Sequence, residues 1–182
     1  MSQEELSPRA RETLLNLARN TLKKHFKQNV DKTDTTLPEL QQENGAFVSL
    51  HKKGRLRGCI GTFTGKGPLH QTVSSMAKSA AFEDPRFPGL VERELDDIDI
   101  EISVLSPLRR IHDVKEIIVG KHGIYIISGF SRGVLLPQVA TEYGWDRETF
   151  LAQTCMKAGL SADCWKQGAE IYIFTADIFA EK

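Results

Sequence analysis

Arg57 and Cys59 stand two residues apart in Leu56-Arg57-Gly58-Cys59-Ile60-Gly61-Thr62-Phe63. Alternate residues of a strand share a face, so Arg57, Cys59, Gly61 and Phe63 are expected together, with Leu56, Ile60 and the Gly58 position opposite. A guanidinium beside a thiol favours the thiolate, the form that attacks carbon or binds metal. The same guanidinium can instead hold a ligand's carboxylate or phosphate. The plainer reading makes Cys59 a small buried hydrophobe and pairs Arg57 with Glu101. Glu101 and Ser103 alternate with the isoleucines of Ile98-Asp99-Ile100-Glu101-Ile102-Ser103-Val104-Leu105. They either line a polar pocket with Arg57 or face water, as one side of an antiparallel sheet often does. His122 precedes Gly123 at a strand start. Its ordinary pKa suits a general base, though a surface or turn role is commoner there. Cys59 with His122 would suggest a cysteine hydrolase or transferase, but no acid or amide orienter is identifiable.

Other segments carry weaker chemistry. Asp84-Pro85-Arg86-Phe87-Pro88 is either the rigid rim of a pocket or a turn with Asp84 bonded to backbone and Phe87 anchored in the core. Gly144-Trp145-Asp146 reads first as a helix cap, and Trp165 as packing. Thr64-Gly65-Lys66-Gly67 looks phosphate-binding but lacks the rest of a P-loop. Cys155 and Cys164 are the closest Cys/His pair, and the spacing of a closed zinc site is absent, so no metal is expected. No cofactor is identifiable.

The elements that must position these residues are legible in the hydrophobic pattern. Ser7-Pro8 opens a helix expected over residues 8–27, with Leu14, Ala18 and Leu22 one turn apart. Its other face carries Arg11, Arg19, Lys23, Lys24 and Lys27 and reads as solvated. Residues 28–44 read as a long loop. Two strands around Lys53-Gly54 follow, and their glycines make sense if a bulge forms or another backbone comes close. A small-residue helix starts after Pro68 and ends at Asp84-Pro85. The strand at 98–105, a second hairpin from His122 to Leu136, short helices after Pro137 and Asp146, a strand at 171–175 and a short terminal helix complete the chain. Hairpins plus helices favour α+β with a mainly antiparallel sheet flanked by helices.

The chain has 182 residues, which suggests one domain over 1–182, or a domain with a small appendage. Lys plus Arg and Asp plus Glu are 24 each, so no global field favours nucleic acid or an anionic membrane. No apolar run approaches the roughly 20 residues that span a bilayer. The first residues do not read as a secretory signal, and the three cysteines read as reduced thiols of a cytoplasmic protein.

From about Ala46 to Phe179 the pattern resembles the AMMECR1 domain family. Leu56-Arg57-Gly58-Cys59-Ile60-Gly61 carries the likeness most strongly. Ala80-Ala81-Phe82-Glu83-Asp84-Pro85-Arg86-Phe87, Ile100 to Leu105, Gly120-Lys121-His122-Gly123-Ile124, Leu136-Pro137-Gln138-Val139-Ala140, Gly144-Trp145-Asp146 and Lys157-Ala158-Gly159-Leu160 follow in order. The resemblance implies an antiparallel sheet flanked by helices with a smaller attached subdomain. It also implies association with a Memo-like protein and a radical SAM protein in a shared modification pathway, or a scaffold role. The expected function is therefore small-ligand binding or substrate presentation at Arg57, Cys59, Glu101 and Ser103. The alternatives are a cysteine enzyme using Cys59 with His122, and a protein-interaction scaffold without catalysis.

Overall fold

The computed structural model describes residues 5–181. Four helices and eight strands run in the order α1 (Pro8–His25), β1 (Ala46–Lys52), β2 (Arg55–Thr62), α2 (Leu69–Phe82), β3 (Ile98–Leu105), β4 (Arg109–Ile111), β5 (Gly123–Ser128), β6 (Ser131–Leu135), α3 (Pro137–Glu142), α4 (Arg147–Lys157), β7 (Glu170–Phe174) and β8 (Ala176–Ala180). The chain divides into two compact units, Ser106–Ala176 and the remainder on either side of it. Each unit carries one four-stranded sheet with helices packed on it. The fold is α+β with antiparallel strand pairs.

In the first unit the strand order is β2-β1-β3-β8. Ser7 caps α1 by accepting a hydrogen bond from the Ala10 amide at 3.2 Å. Ala10, Leu14, Ala18 and Leu22 face inward from that helix. They meet Ala46, Val48 and Leu50 of β1 and Ile98, Ile100, Ile102 and Val104 of β3 in one core. The basic side of α1 is not simply solvated. Arg19 pairs with Glu181 and donates to the Leu95 and Ile98 carbonyls, and Arg11 pairs with Asp177 at 2.9 Å. These bonds tie α1 to the chain's last described residues. That end forms β8 rather than the expected helix, because β3 offers it an open edge and Glu181 accepts the Ile100 amide at 2.9 Å.

α2 packs on β1 and β2 with its small residues inward. The approach is closest at Gly58, where an added Cβ would lie 2.1 Å from the Ala80 carbonyl oxygen. The bulge also forms, one residue away. β1 and β2 run in register from Ala46↔Thr62 to Leu50↔Gly58, and then His51 faces Leu56, leaving Arg57 as the extra residue.

In the second unit the order is β4-β7-β5-β6. Phe150, Leu151 and Cys155 of α4 pack with Ile124, Ile126 and Ile173. Asp146 caps α4 by accepting from the Thr149 amide at 2.8 Å. Gly159, at φ +76°, ends that helix and reverses the chain. The reversal brings Cys164 to a Cα separation of 5.8 Å from Cys155, and the two form a disulfide. This corrects the expectation of three reduced thiols and leaves Cys59 as the free cysteine.

Replacing Gly58 by Ala forces α2 away from β2 and is expected to cost about 1–3 kcal/mol. At Gly67 an added Cβ meets the Gln71 side-chain oxygen at 3.4 Å. Gly67→Ala is therefore expected to stay within about 0.5 kcal/mol of wild type. Urea denaturation of the two variants compares them, and equal midpoints would contradict the close packing.

Candidate functional site

The face of the first sheet turned away from the α1–α2 core carries the candidate residues. Register sets them in rows. Ser49 of β1 lies between Cys59 of β2 and Glu101 of β3. Directly opposed residues of an antiparallel pair have Cβ atoms about 4.5–5.5 Å apart, so these side chains form one row. Phe47 lies between Gly61 and Ser103 in the next row, and His51 between Leu56 and Asp99 on the other side. Gly61 has no side chain because the Phe47 ring lies over it, 2.2 Å from where a Cβ would sit. The Phe47 and Phe63 rings meet edge to face at 5.0 Å between centroids.

Cys59 is half-buried, and its Sγ accepts a hydrogen bond from the Ser49 hydroxyl at 3.1 Å. β2 is an edge strand, so the outward amide of Cys59 needs a partner beyond the sheet. Asp84, two residues after α2, takes it at 2.9 Å. The Arg86 guanidinium grips both oxygens of that carboxylate, at 3.0 and 2.8 Å, and donates to the Cys59 carbonyl at 3.3 Å. Asp84 is buried, which alone would raise its pKa. The Arg86 bonds outweigh burial and, with the Cys59 and Arg86 amides, hold the carboxyl far below the usual range. Arg86 itself is raised, chiefly by Asp84, with a smaller contribution from Cys59.

The structure gathers some of the expected residues and separates others. Cys59 and Glu101 share a row, with Ser103 one row along. The Glu101 carboxylate has no hydrogen-bond or ion-pair partner among the described residues, so its expected alternative pairing with Arg57 is not made. Ser103 is buried. Arg57 does not join Cys59, because the bulge breaks the alternation that would have aligned them. Leu56, expected on the other face, takes the place opposite His51. Arg57 forks onto Glu94 at 3.1 and 2.9 Å and donates to the Pro88 and Gly89 carbonyls. Lys52 reaches the same carboxylate at 3.0 Å. Arg57, and after it Lys52 and the Val91 amide, bring the Glu94 pKa from 4.5 down to about 2.

His122 belongs to the second unit. Its Nδ1 accepts the Ile118 amide at 3.1 Å, and it also bonds the Glu116 backbone. Burial, then the charges of Lys121 and Arg109, lower its pKa, so the imidazole is neutral near pH 7. With Nδ1 already accepting, the proton of that neutral ring sits on Nε2, and no lone pair is left for a base.

Ser49 and His51 are the members that motif reasoning left out of the site, whereas it read Asp84 and Arg86 as either a pocket rim or a turn. Alternation along Phe47, Ser49 and His51 was the available signal for the first two. Among the described residues no three His, Cys, Asp or Glu side chains are grouped to hold a metal ion, and no helix is long and apolar enough to cross a membrane.

A family model, AMMECR1, matches residues 15–179. The chain belongs to the AMMECR1 family. A protein from Methanothermobacter thermautotrophicus is 45% identical over 178 residues, covering 93% of each chain. A Thermococcus onnurineus protein is 44% identical over 94% of this chain and 90% of its own. The crystal structure of protein PH0010 from Pyrococcus horikoshii superposes with a TM-score of 0.84 at 39% identity, covering 94% of this chain and 91% of that one.

The Glu94 cluster makes a pH prediction for this AMMECR1-family fold. A carboxylate with a depressed folded pKa stabilises above its unfolded pKa and loses that contribution as pH falls through the folded one. For Glu94 the loss runs from 4.5 down to about 2. Glu94→Gln is expected to lower stability near neutrality by about 1–3 kcal/mol, the lower end allowing for solvent screening. Its urea midpoint should converge on that of wild type near pH 2. A gap that is the same at both pH values would mean that Glu94 is not the titrating partner.

Proposed function

We propose that this protein binds a small ligand, or presents a partner's substrate, on the open face of its first sheet. In this reading it is a cytoplasmic component of a modification pathway with Memo-like and radical SAM proteins. The supporting observation is the row Cys59–Ser49–Glu101. It combines a half-buried free thiol, a hydroxyl already donating to that thiol, and a half-buried carboxylate with no partner among the described residues. Burying a carboxylate fully requires a compensating donor, so a ligand that closes this face must bring a cation or a hydrogen-bond donor to Glu101. Phe47 and Phe63 beside the row favour an apolar portion next to that donor. Ser103 lies one row along on the same face, and Arg57 holds its edge through Glu94, while His122 stands in the second unit. The pathway partners rest on the family resemblance.

A second reading, a cysteine transferase, draws on Arg86 and His51. The Arg86 guanidinium stands beside Cys59 with its charge paired to Asp84, and His51 shares the Cys59 face. There the Cys59 proton passes to His51, the thiolate attacks an electrophilic carbon of the substrate, and the leaving group departs with that proton.

Iodoacetamide labelling of the folded protein, read by peptide mass spectrometry, tests both readings. Cys59 is expected to label before any unfolding. The Memo-like protein of the same genome is expected to slow labelling about tenfold at saturation, equivalent to about 1.4 kcal/mol. Glu101→Gln should weaken that protection without changing the labelling of the free protein. A Cys59 that resists labelling until urea unfolds the chain would remove both readings. Ready labelling with no protection would remove the presenting role.

A further inference from the structure

A second concave site lies apart from the Cys59 row, on the helix-covered side of β2. Thr62, the last residue of β2, pairs with the buried Ala46 and so belongs to the core-facing set. Beyond it the chain turns through Thr64-Gly65-Lys66-Gly67 into α2. A hollow of about 330 Å³ opens there, lined by Thr62, Thr64, Lys66, Gln71, Thr72 and Ser75, with Gly67 and Met76 completing it. That volume is at the small end of the roughly 300–1,000 Å³ typical of ligand sites.

The lining has a definite chemistry. It contains no carboxylate, and its one charge is the Lys66 ammonium, which has no ion-pair partner among the described residues. Thr62 donates to the Thr64 carbonyl at 2.8 Å. The hydroxyls of Thr64, Thr72 and Ser75 and the Gln71 amide make no side-chain hydrogen bond to the described residues. Thr72 matters most, because it is 8% exposed and still lines the hollow. Its amide is used by the Pro68 carbonyl at 3.1 Å, and its hydroxyl has no hydrogen-bond partner among the described residues. A hydroxyl with no partner in the protein is free to bond a group that enters from outside. No side chain caps α2, so the positive end of its dipole adds to the Lys66 charge.

The geometry points to a binding site for the oxyanion group, phosphate or carboxylate, of a small hydroxylated metabolite. Lys66 neutralises the anion, Thr72 donates from the buried side, and Gln71, Thr64 and Ser75 meet the ligand's hydroxyls. The Thr64–Gly67 turn resembles a phosphate loop in composition, and what it contributes here is Lys66 together with a close backbone. At Gly65 an added Cβ would lie 2.7 Å from the Asn44 carbonyl oxygen, so the turn is packed against the segment before β1.

Amide chemical shifts of the labelled full chain, titrated with glycerol 3-phosphate, sodium acetate and glycerol, test the site. Glycerol 3-phosphate is expected to shift amides from Thr64 to Thr72 and at Ser75, with a Kd of about 0.1–10 mM. Lys66→Gln and the near-isosteric Thr72→Val should each weaken it about five- to tenfold, with shifts elsewhere in the spectrum showing an intact fold. Acetate acting like glycerol 3-phosphate would identify the carboxylate source, and acetate without effect the phosphate source. Shifts produced equally by glycerol, shifts confined to other regions, or titrations unchanged in both variants would overturn the assignment.

Discussion

The backbone contact between Gly58 and Ala80 governs most of what surrounds it. α2 lies against β2 so closely that the Ala80 carbonyl takes the space of a side chain at residue 58. That closeness fixes where α2 ends. Asp84 emerges beside the edge strand and takes the Cys59 amide, and Arg86 folds back over the carboxylate to reach the Cys59 carbonyl. An exposed strand edge offers unpaired backbone groups to any passing strand. Here a buried carboxylate and a guanidinium occupy that edge at Cys59. The thiol is thus held by backbone contacts on a rigid element, which suits a site that needs its side chain in one position.

Residues governed by local periodicity were legible in the sequence. The stripe of α1, the alternation of β3, both hairpins and the Asp146 cap appear where the pattern put them. The Cys59–Glu101 alignment follows from the same alternation. Arg57 was misread because one extra residue in β2 changes the face of every residue before it, and a period of two cannot show where it will be interrupted. His122 was chosen by residue type, but burial and its bonds to the Ile118 and Glu116 backbone decide its chemistry, and neither is visible in a short window. The Cys155–Cys164 bond depends on the chain reversal at Gly159, which spacing alone does not reveal.

The basic side of α1 shows the same limit over a longer range. Read locally, Arg11 and Arg19 look like surface charges. In the fold their partners are Asp177 and Glu181, more than 160 residues later. Arg19 also spends its remaining donors on the Leu95 and Ile98 carbonyls. An arginine with a planar fork can serve a carboxylate and carbonyls together, which a lysine ammonium does less well. The last strand is thereby held to the first helix by charge and to β3 by β-pairing.

A formal charge of zero conceals this selectivity. Within the first unit Arg57 and Lys52 converge on Glu94, Arg86 on Asp84, Arg19 on Glu181 and Arg11 on Asp177. These pairs tie loops and chain ends to the sheet, and Lys52 also reaches Asp97 at 3.8 Å. Glu101 and Lys66 are left outside this pairing, and they lie on opposite sides of the same sheet. One face therefore keeps an acceptor beside a thiol, and the other keeps a cation among hydroxyls. A protein with no overall field thus keeps unpaired charge of either sign in separate places.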